Sequence, residues 1–152
     1  MASPRIQFRP GEGLANKLIE RTQLSPDTPD GARDVFLAEA VRQTLEDYYN
    51  LLERSVPTFE MKEAMLIMDA LNGIILMSQV PHLLWAEVSD AIQMDGLDKK
   101  WDVDGEALVK RLRGMTAFEQ WAIADAVSRA WNAPTYRIDN MEERIRKVGL
   151  VK

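Results

Sequence analysis

The stretch Arg5-Ile6-Gln7-Phe8-Arg9 (residues 5–9) alternates strictly between polar and apolar side chains, just ahead of two segments with helical periodicity. Successive side chains of a strand point to opposite faces, so Ile6 and Phe8 would face a core. Arg5, Gln7 and Arg9 would form an outward row of hydrogen-bond donors. A lone five-residue strand is not stable in water, because its backbone groups need a partner. The stretch therefore predicts a strand paired with its own copy in a homodimer, or no strand at all.

Length and composition favour a globular protein with a core of its own. The chain has 152 residues, of which 46% are hydrophobic and none is cysteine. The lack of cysteine excludes disulfides and thiolate sites, and favours the reducing cytoplasm. The longest apolar stretch, residues 64–77, is interrupted by polar residues and is shorter than the roughly 20 residues that span a bilayer. No apolar signal segment opens the chain, so we expect no membrane partner.

The charge distribution, together with Pro57, predicts three regions. Residues 1–57 carry a net charge of −2, residues 58–134 carry −5, and residues 135–152 carry +2. We predict an N-terminal module over 1–57, an acidic helical domain over 58–134 and a basic tail over 135–152. A typical nucleic-acid binder is basic overall, so DNA binding would require a small local positive site on an acidic body.

Helical periodicity covers most of the chain. We predict a first helix from Leu14 to Gln23, a loop over 24–31, and a second helix that starts between Asp30 and Asp34 and ends near Arg54. The spacing predicts that this second helix buries one apolar stripe. Its members are Leu37, Val41, Leu45, Tyr48 and Leu52.

Five further helices are predicted after Pro57, and Thr58 can cap the first of them. The pair Thr116 and Glu119 forms a capping box, which is the most secure helix start in the sequence. The predicted helices run from Thr58 to Asn72, His82 to Met94, Asp104 to Gly114, Thr116 to Trp131, and Asn140 to Lys147.

The first 54 residues resemble the ribbon-helix-helix family of bacterial DNA-binding proteins. The matching pieces are the alternating residues 5–9, the helix over 14–23, and the helix that contains Ala32-Arg33-Asp34 and Tyr48-Tyr49. In that family, two chains pair their strands into a ribbon that enters the major groove. The resemblance implies a mainly α fold, in which a ribbon-helix-helix-like dimerisation module precedes an all-helical bundle.

The resemblance also implies two sets of DNA contacts. The outward side chains of the ribbon would be Arg5, Gln7 and Arg9. Arginine can bond guanine at O6 and N7, and glutamine can bond adenine at N6 and N7. In the family, the backbone N–H groups that open the second helix hold a phosphate. That role falls here on Gly31, Ala32 and Arg33.

Other residue clusters favour structural roles. The acidic run over 95–106 contains only the fragment Asp102-x-Asp104-Gly105 of a calcium loop, so caps and solvated charges explain it better. His82 is the only histidine and has no cysteine companions. No nucleophile elbow or phosphate loop is present, so we expect no catalytic residue, metal or cofactor. The four tryptophans and the methionines at 61, 65, 68 and 77 would form an adaptable binding groove or, more simply, a core.

Two functions remain open from the sequence. The first is a DNA-binding protein, either a transcriptional regulator or a plasmid or phage accessory factor. It would act as a homodimer or higher oligomer, and its acidic helical domain would serve oligomerisation or bind a protein partner. The alternative is an all-helical structural or protein-interaction protein that does not bind DNA. The acidic balance and the aspartates at 27, 30 and 34, which would repel a phosphate, favour the alternative.

Overall fold

A computed structural model describes residues 17, 29–71, 84–132 and 140–152. Apart from Lys17, which is helical, the regular structure of these residues consists of helices numbered here in chain order. They are α1 (Asp30–Arg54), α2 (Met61–Ala70), α3 (Leu84–Asp95), α4 (Leu97–Trp101), α5 (Gly105–Arg113), α6 (Ala117–Trp131) and α7 (Met141–Lys147).

The predicted fold class is correct in being mainly α and wrong in its ribbon-helix-helix-like module. Of the described residues, 79% are helical and none belongs to a strand or sheet. A strand at residues 5–9 would need a partner to satisfy its backbone groups, and the described part of the chain contains no strand to supply one. The predicted strand itself and, apart from Lys17, the predicted helix from Leu14 to Gln23 lie outside the described residues.

The chain divides into two compact units, residues 1–50 and residues 51–152. Helix α1 begins in the first unit at Asp30, inside the predicted range, and ends at the predicted Arg54. The division falls within this helix, seven residues before Pro57. The predicted limits at residues 57 and 134 stay predictions.

Side-chain pairs support α1 along its polar face. The Nε of Arg42 donates to Glu39 Oε2 at 2.9 Å, and its two other nitrogens donate to Glu39 and Glu46. At the next residue, Gln43 Nε2 donates to Asp47 Oδ1 at 2.9 Å. Pairs three and four residues apart stabilise a helix by about 0.2–0.5 kcal/mol each. Because α1 has several of them, its helical state does not depend on core packing alone.

In the unit of residues 51–152, α2 and α3 are the central elements of the core. Helix α2 contacts α3, α4 and α7, α3 also packs against α4, α5 and α6, and α6 packs against α7. Burial of this many aliphatic side chains, at about 1.5–3 kcal/mol each, is the main favourable contribution to folding. The largest fully buried side chains of the cluster are Leu66, Ile67, Met68, Leu71, Leu108, Leu112, Ile123, Ile145 and Leu150.

Three of the predicted helix starts are confirmed. The Thr116 hydroxyl accepts from the Glu119 N–H at 3.2 Å, and the Glu119 carboxylate accepts from the Thr116 N–H at 2.7 Å. Asp104 caps α5 by accepting from the Ala107 N–H at 3.0 Å, and Asn140 caps α7 by accepting from the Glu142 N–H at 2.9 Å. Each cap satisfies a backbone donor that the helix leaves unpaired.

The predicted start at Thr58 is wrong by two residues. The N–H of Phe59 donates to the Leu150 carbonyl at 2.8 Å, which holds this part of the chain extended against the C-terminal segment. The N-cap is therefore Glu60, whose N–H donates to Glu63 Oε2 at 3.0 Å. A contact between residues far apart in sequence decides this boundary, so local capping preference does not reveal it.

Candidate interaction surface on helix α1

Four apolar residues of α1 follow one row along the helix, while the more exposed Val35, Phe36 and Leu51 lie outside this row. Ala38, Val41, Leu45 and Tyr48 follow each other at intervals of three, four and three residues. This spacing places them on a single face of an α-helix, and it is the spacing of the a and d positions of helices that pair side by side. These four residues are called the α1 seam.

Two residues of the predicted buried stripe, Leu45 and Tyr48, are partly exposed. Leu45 is 48% exposed and Tyr48 is 37% exposed, while Val41 and the neighbouring Leu37 are half-buried. Leu52, the next residue in the predicted stripe, is fully buried. The prediction is therefore right at its last position and wrong at Leu45 and Tyr48. Leu45 and Tyr48 thus keep part of their apolar surface accessible to solvent.

Tyr49 extends the aromatic surface beside the seam. Its ring lies 5.7 Å from that of Tyr48, centroid to centroid, at an interplanar angle of 69°. Edge-to-face pairs of this kind are favourable beyond the area they bury. Tyr49 is itself 43% exposed, so its ring is accessible to solvent beside the seam.

The opposite face of α1 is polar and carries its charges in pairs. Glu39, Gln43, Glu46, Asp47 and Asn50 are all exposed there. The hydrogen bond from Arg42 lowers the pKa of the Glu39 carboxyl, and hydrogen bonds to Glu39 and Glu46 raise the pKa of the Arg42 guanidinium. The cation nearest the seam is thus neutralised within its own helix. An incoming apolar surface would not meet an isolated charge at that point.

The structure describes only half of the predicted DNA contacts. Gly31 and Ala32 are exposed in the first turn of α1, where the Arg33 backbone is also helical. The first turn of a helix has free N–H groups, so the predicted phosphate site has suitable backbone donors, and the phosphate itself stays a prediction. The predicted base contacts Arg5, Gln7 and Arg9 lie outside the described residues.

A shallow depression of about 340 Å³ follows α4, and its acidic residues have structural roles. It is lined by Asp98, Lys99, Asp102, Val103 and Asp104. Lys62 Nζ donates to Asp102 Oδ2 at 2.6 Å, and this hydrogen bond lowers the pKa of Asp102. Asp104 caps α5 as described above. Within the described residues, no group of three histidine, cysteine or carboxylate side chains is arranged to hold a metal ion.

Three of the four tryptophans, Trp85, Trp101 and Trp131, pack against the core. Trp101 Nε1 donates to Asp69 Oδ2 at 2.9 Å, which joins α4 to α2. Trp131 Nε1 donates to the Met68 carbonyl at 3.3 Å. The Arg113 guanidinium lies over the Trp85 ring at 4.9 Å from its centroid. These polar contacts explain why large, partly buried rings are tolerated at the edge of the core.

Comparison with protein-family models, with curated proteins and with solved structures found no match for this chain. In the part of the chain that the structure describes, each helix is too short or too polar to cross a lipid bilayer.

Proposed function

We propose that this chain is a protein-interaction protein in which α1 is the binding element and the unit of residues 51–152 is a stable helical body. The observation that carries the proposal is the half-exposed side chain of Leu45 on a helix face with core-like spacing. Helix recognition commonly uses anchors three, four and seven residues apart, and the α1 seam has this pattern.

Energetics support a role in binding. Complete burial of a leucine contributes about 1.5–3 kcal/mol, so an exposed seam leaves favourable free energy that a partner would recover. The seam is flanked on its opposite face by paired charges and amides, which keep the free helix solvated. The cytoplasm, expected from the absence of cysteine, is the compartment we propose for this interaction.

Site-specific photocrosslinking in the native cell tests the proposal. A photoreactive phenylalanine analogue replaces Leu45 in the seam, and the matched control carries it at Asn50, which is exposed on the polar face. We expect a covalent adduct with a protein from position 45 and little or none from position 50. Equal labelling at both positions, or labelling at neither, contradicts the proposal.

DNA binding through Arg5, Gln7 and Arg9 stays a prediction of the sequence, and it has its own test. If those side chains contact DNA, Arg5→Ala and Arg9→Ala weaken binding to a duplex library and reduce the dependence of affinity on salt. If the unaltered protein has no salt-dependent affinity for DNA, the prediction is wrong. This result is independent of adducts at position 45.

A further inference from the structure

We infer that Arg113 and Lys110 of α5, together with the Trp85 ring of α3, bind a carboxylate from an acidic segment of another protein. These three side chains are called the Trp85–Arg113 site. The site belongs to the unit of residues 51–152, so the inference goes beyond the proposed role of α1 and does not depend on it. Its basis is the set of contacts that Arg113 makes, compared with those of Arg111 on the same helix.

Three helices hold the Trp85–Arg113 site in place. Trp85 lies in the first turn of α3, and Arg113 is the last residue of α5. Gln120 of α6 is only 3% exposed. Its Oε1 accepts from the Trp85 N–H at 3.4 Å, and its Nε2 donates to the Met115 carbonyl at 3.3 Å. Because a buried amide is costly to leave unpaired, this bridge fixes the start of α3 relative to the residues that follow α5, and the ring is in position before a ligand binds.

The contact with Trp85 orients the Arg113 guanidinium without using its hydrogen bonds. The guanidinium carbon lies 4.9 Å from the ring centroid, which is within the range of cation–π attraction. The N–H donors of an arginine form a planar fork that matches the two oxygens of a carboxylate. Because the ring already restricts the side chain, less conformational entropy is lost when Arg113 binds a ligand.

Arg111 of the same helix shows which group completes such a contact. Its guanidinium carbon lies 4.8 Å from the Phe59 ring centroid, and its Nη2 donates to Glu63 Oε2 at 2.8 Å. Arg113 has the same kind of ring contact, but none of the carboxylates in the described part of the chain forms an ion pair with it. A carboxylate is therefore the group that would complete the contacts of Arg113 on the pattern of Arg111.

Lys110 adds a second positive charge to the site. It lies three residues before Arg113, and side chains at this spacing are neighbours on a helix surface. Both side chains are exposed, and the ion pairs among the described residues include neither of them. The last turn of α5 thus presents two uncompensated cations on a chain with a net charge of −5. This local excess of positive charge favours an anionic ligand.

The charge of the surrounding residues favours a protein segment over a nucleic acid as the ligand. A nucleic-acid strand carries a negative charge on every phosphate and binds along a row of cations. Residues 58–134 have a net charge of −5, which would repel such a polyanion outside the site. A single aspartate or glutamate of a partner requires only the local positive charge. Trp85 is half-buried, so its ring still offers apolar surface to a side chain beside that carboxylate.

Fluorescence anisotropy of the full chain with a labelled peptide tests the site. The acidic probe has the sequence Glu-Leu-Glu-Glu-Leu-Glu, and the neutral probe has glutamine in place of each glutamate. We expect a dissociation constant of about 0.1–1 mM for the acidic probe, because exposed ion pairs each contribute little binding energy. The neutral probe should bind at least about tenfold more weakly, since it cannot form charge-assisted hydrogen bonds. In NMR spectra, only the acidic probe should shift the indole N–H resonance of Trp85.

Three variants separate the Trp85–Arg113 site from general charge attraction. Arg113→Gln should weaken binding of the acidic probe at least about fivefold, because the guanidinium is lost. The matched control Arg54→Gln removes the same charge at another exposed position and should change the affinity less than about twofold. Arg113→Lys keeps the charge without the planar fork, so it should bind about threefold more weakly than the unaltered chain. Circular dichroism should be unchanged in all three, because both positions are on the surface.

Several results would overturn the inference. They are an acidic probe that does not bind, an Arg113→Gln variant that binds it unchanged, and an Arg113→Lys variant that binds it as well as the unaltered chain does. A labelled single-stranded oligonucleotide that binds more tightly than the acidic probe, and loses affinity in Arg113→Gln, would make the ligand a nucleic acid and also overturn it. None of these measurements depends on adducts at position 45, so failure of this site and failure of the role proposed for α1 are distinguishable.

Discussion

Thr116 and Thr58 show how much a single capping hydroxyl contributes. Both threonines precede a helical pattern, but only Thr116 accepts a hydrogen bond from the third residue of its helix. Loss of an N-cap side chain costs about 1 kcal/mol, so Thr116→Ala should lower the free energy of unfolding by that amount. Thr58→Ala should change it by less than about 0.5 kcal/mol. Urea unfolding of the two variants measures the difference, and equal losses would contradict the assignment.

The ionised carboxyl of Glu119 should contribute to stability in a way that is lost in acid. The hydrogen bond from the Thr116 N–H lowers the pKa of this carboxyl below its ordinary value of 4.5. A lowered pKa in the folded state means that the stabilisation is complete above about pH 4.5 and is lost as the pH falls through the lowered pKa. Glu119→Gln can still accept at this position but does not titrate. At pH 7, we expect the free energy of unfolding to be higher for the unaltered protein than for Glu119→Gln. This difference should become smaller as the pH falls towards 3.

At the level of secondary-structure elements, Gly105 allows α5 to approach α3 and α4 closely. A Cβ at this position would lie 3.0 Å from Asp98 Cβ and 3.1 Å from Ile92 Cδ1. Overpacking of this kind costs about 1–3 kcal/mol, so Gly105→Ala should destabilise the protein by that amount in urea unfolding. Gly114→Ala is the matched control, because its Cβ would meet only the Arg111 carbonyl at 3.5 Å and the Lys110 carbonyl at 3.6 Å. If Gly105→Ala leaves the free energy of unfolding unchanged, α5 can move aside to accommodate the added Cβ.

Local signals predicted those element boundaries that local chemistry controls. Asp104, Thr116 and Asn140 cap their helices within a few residues of sequence, and the sequence predicts all three starts. Helix α4 was not predicted, because it has only five residues and Gly96, at φ 65°, separates it from α3. In the sequence, Gly96 indicates only that α3 ends and does not indicate a short helix after it. The start of α2 depends on the bond from Phe59 to Leu150, for which the local sequence has no signal.

At the scale of the whole molecule, hydrophobic periodicity predicts which residues seek burial but not what covers them. The stripe from Leu37 to Leu52 has the pattern of a core face, yet only Leu52 is fully buried within one copy. A pattern of this kind is the same for a residue that meets its own chain and for one that meets another. The sequence alone therefore assigns Leu45 and Tyr48 to the core, although both are partly exposed.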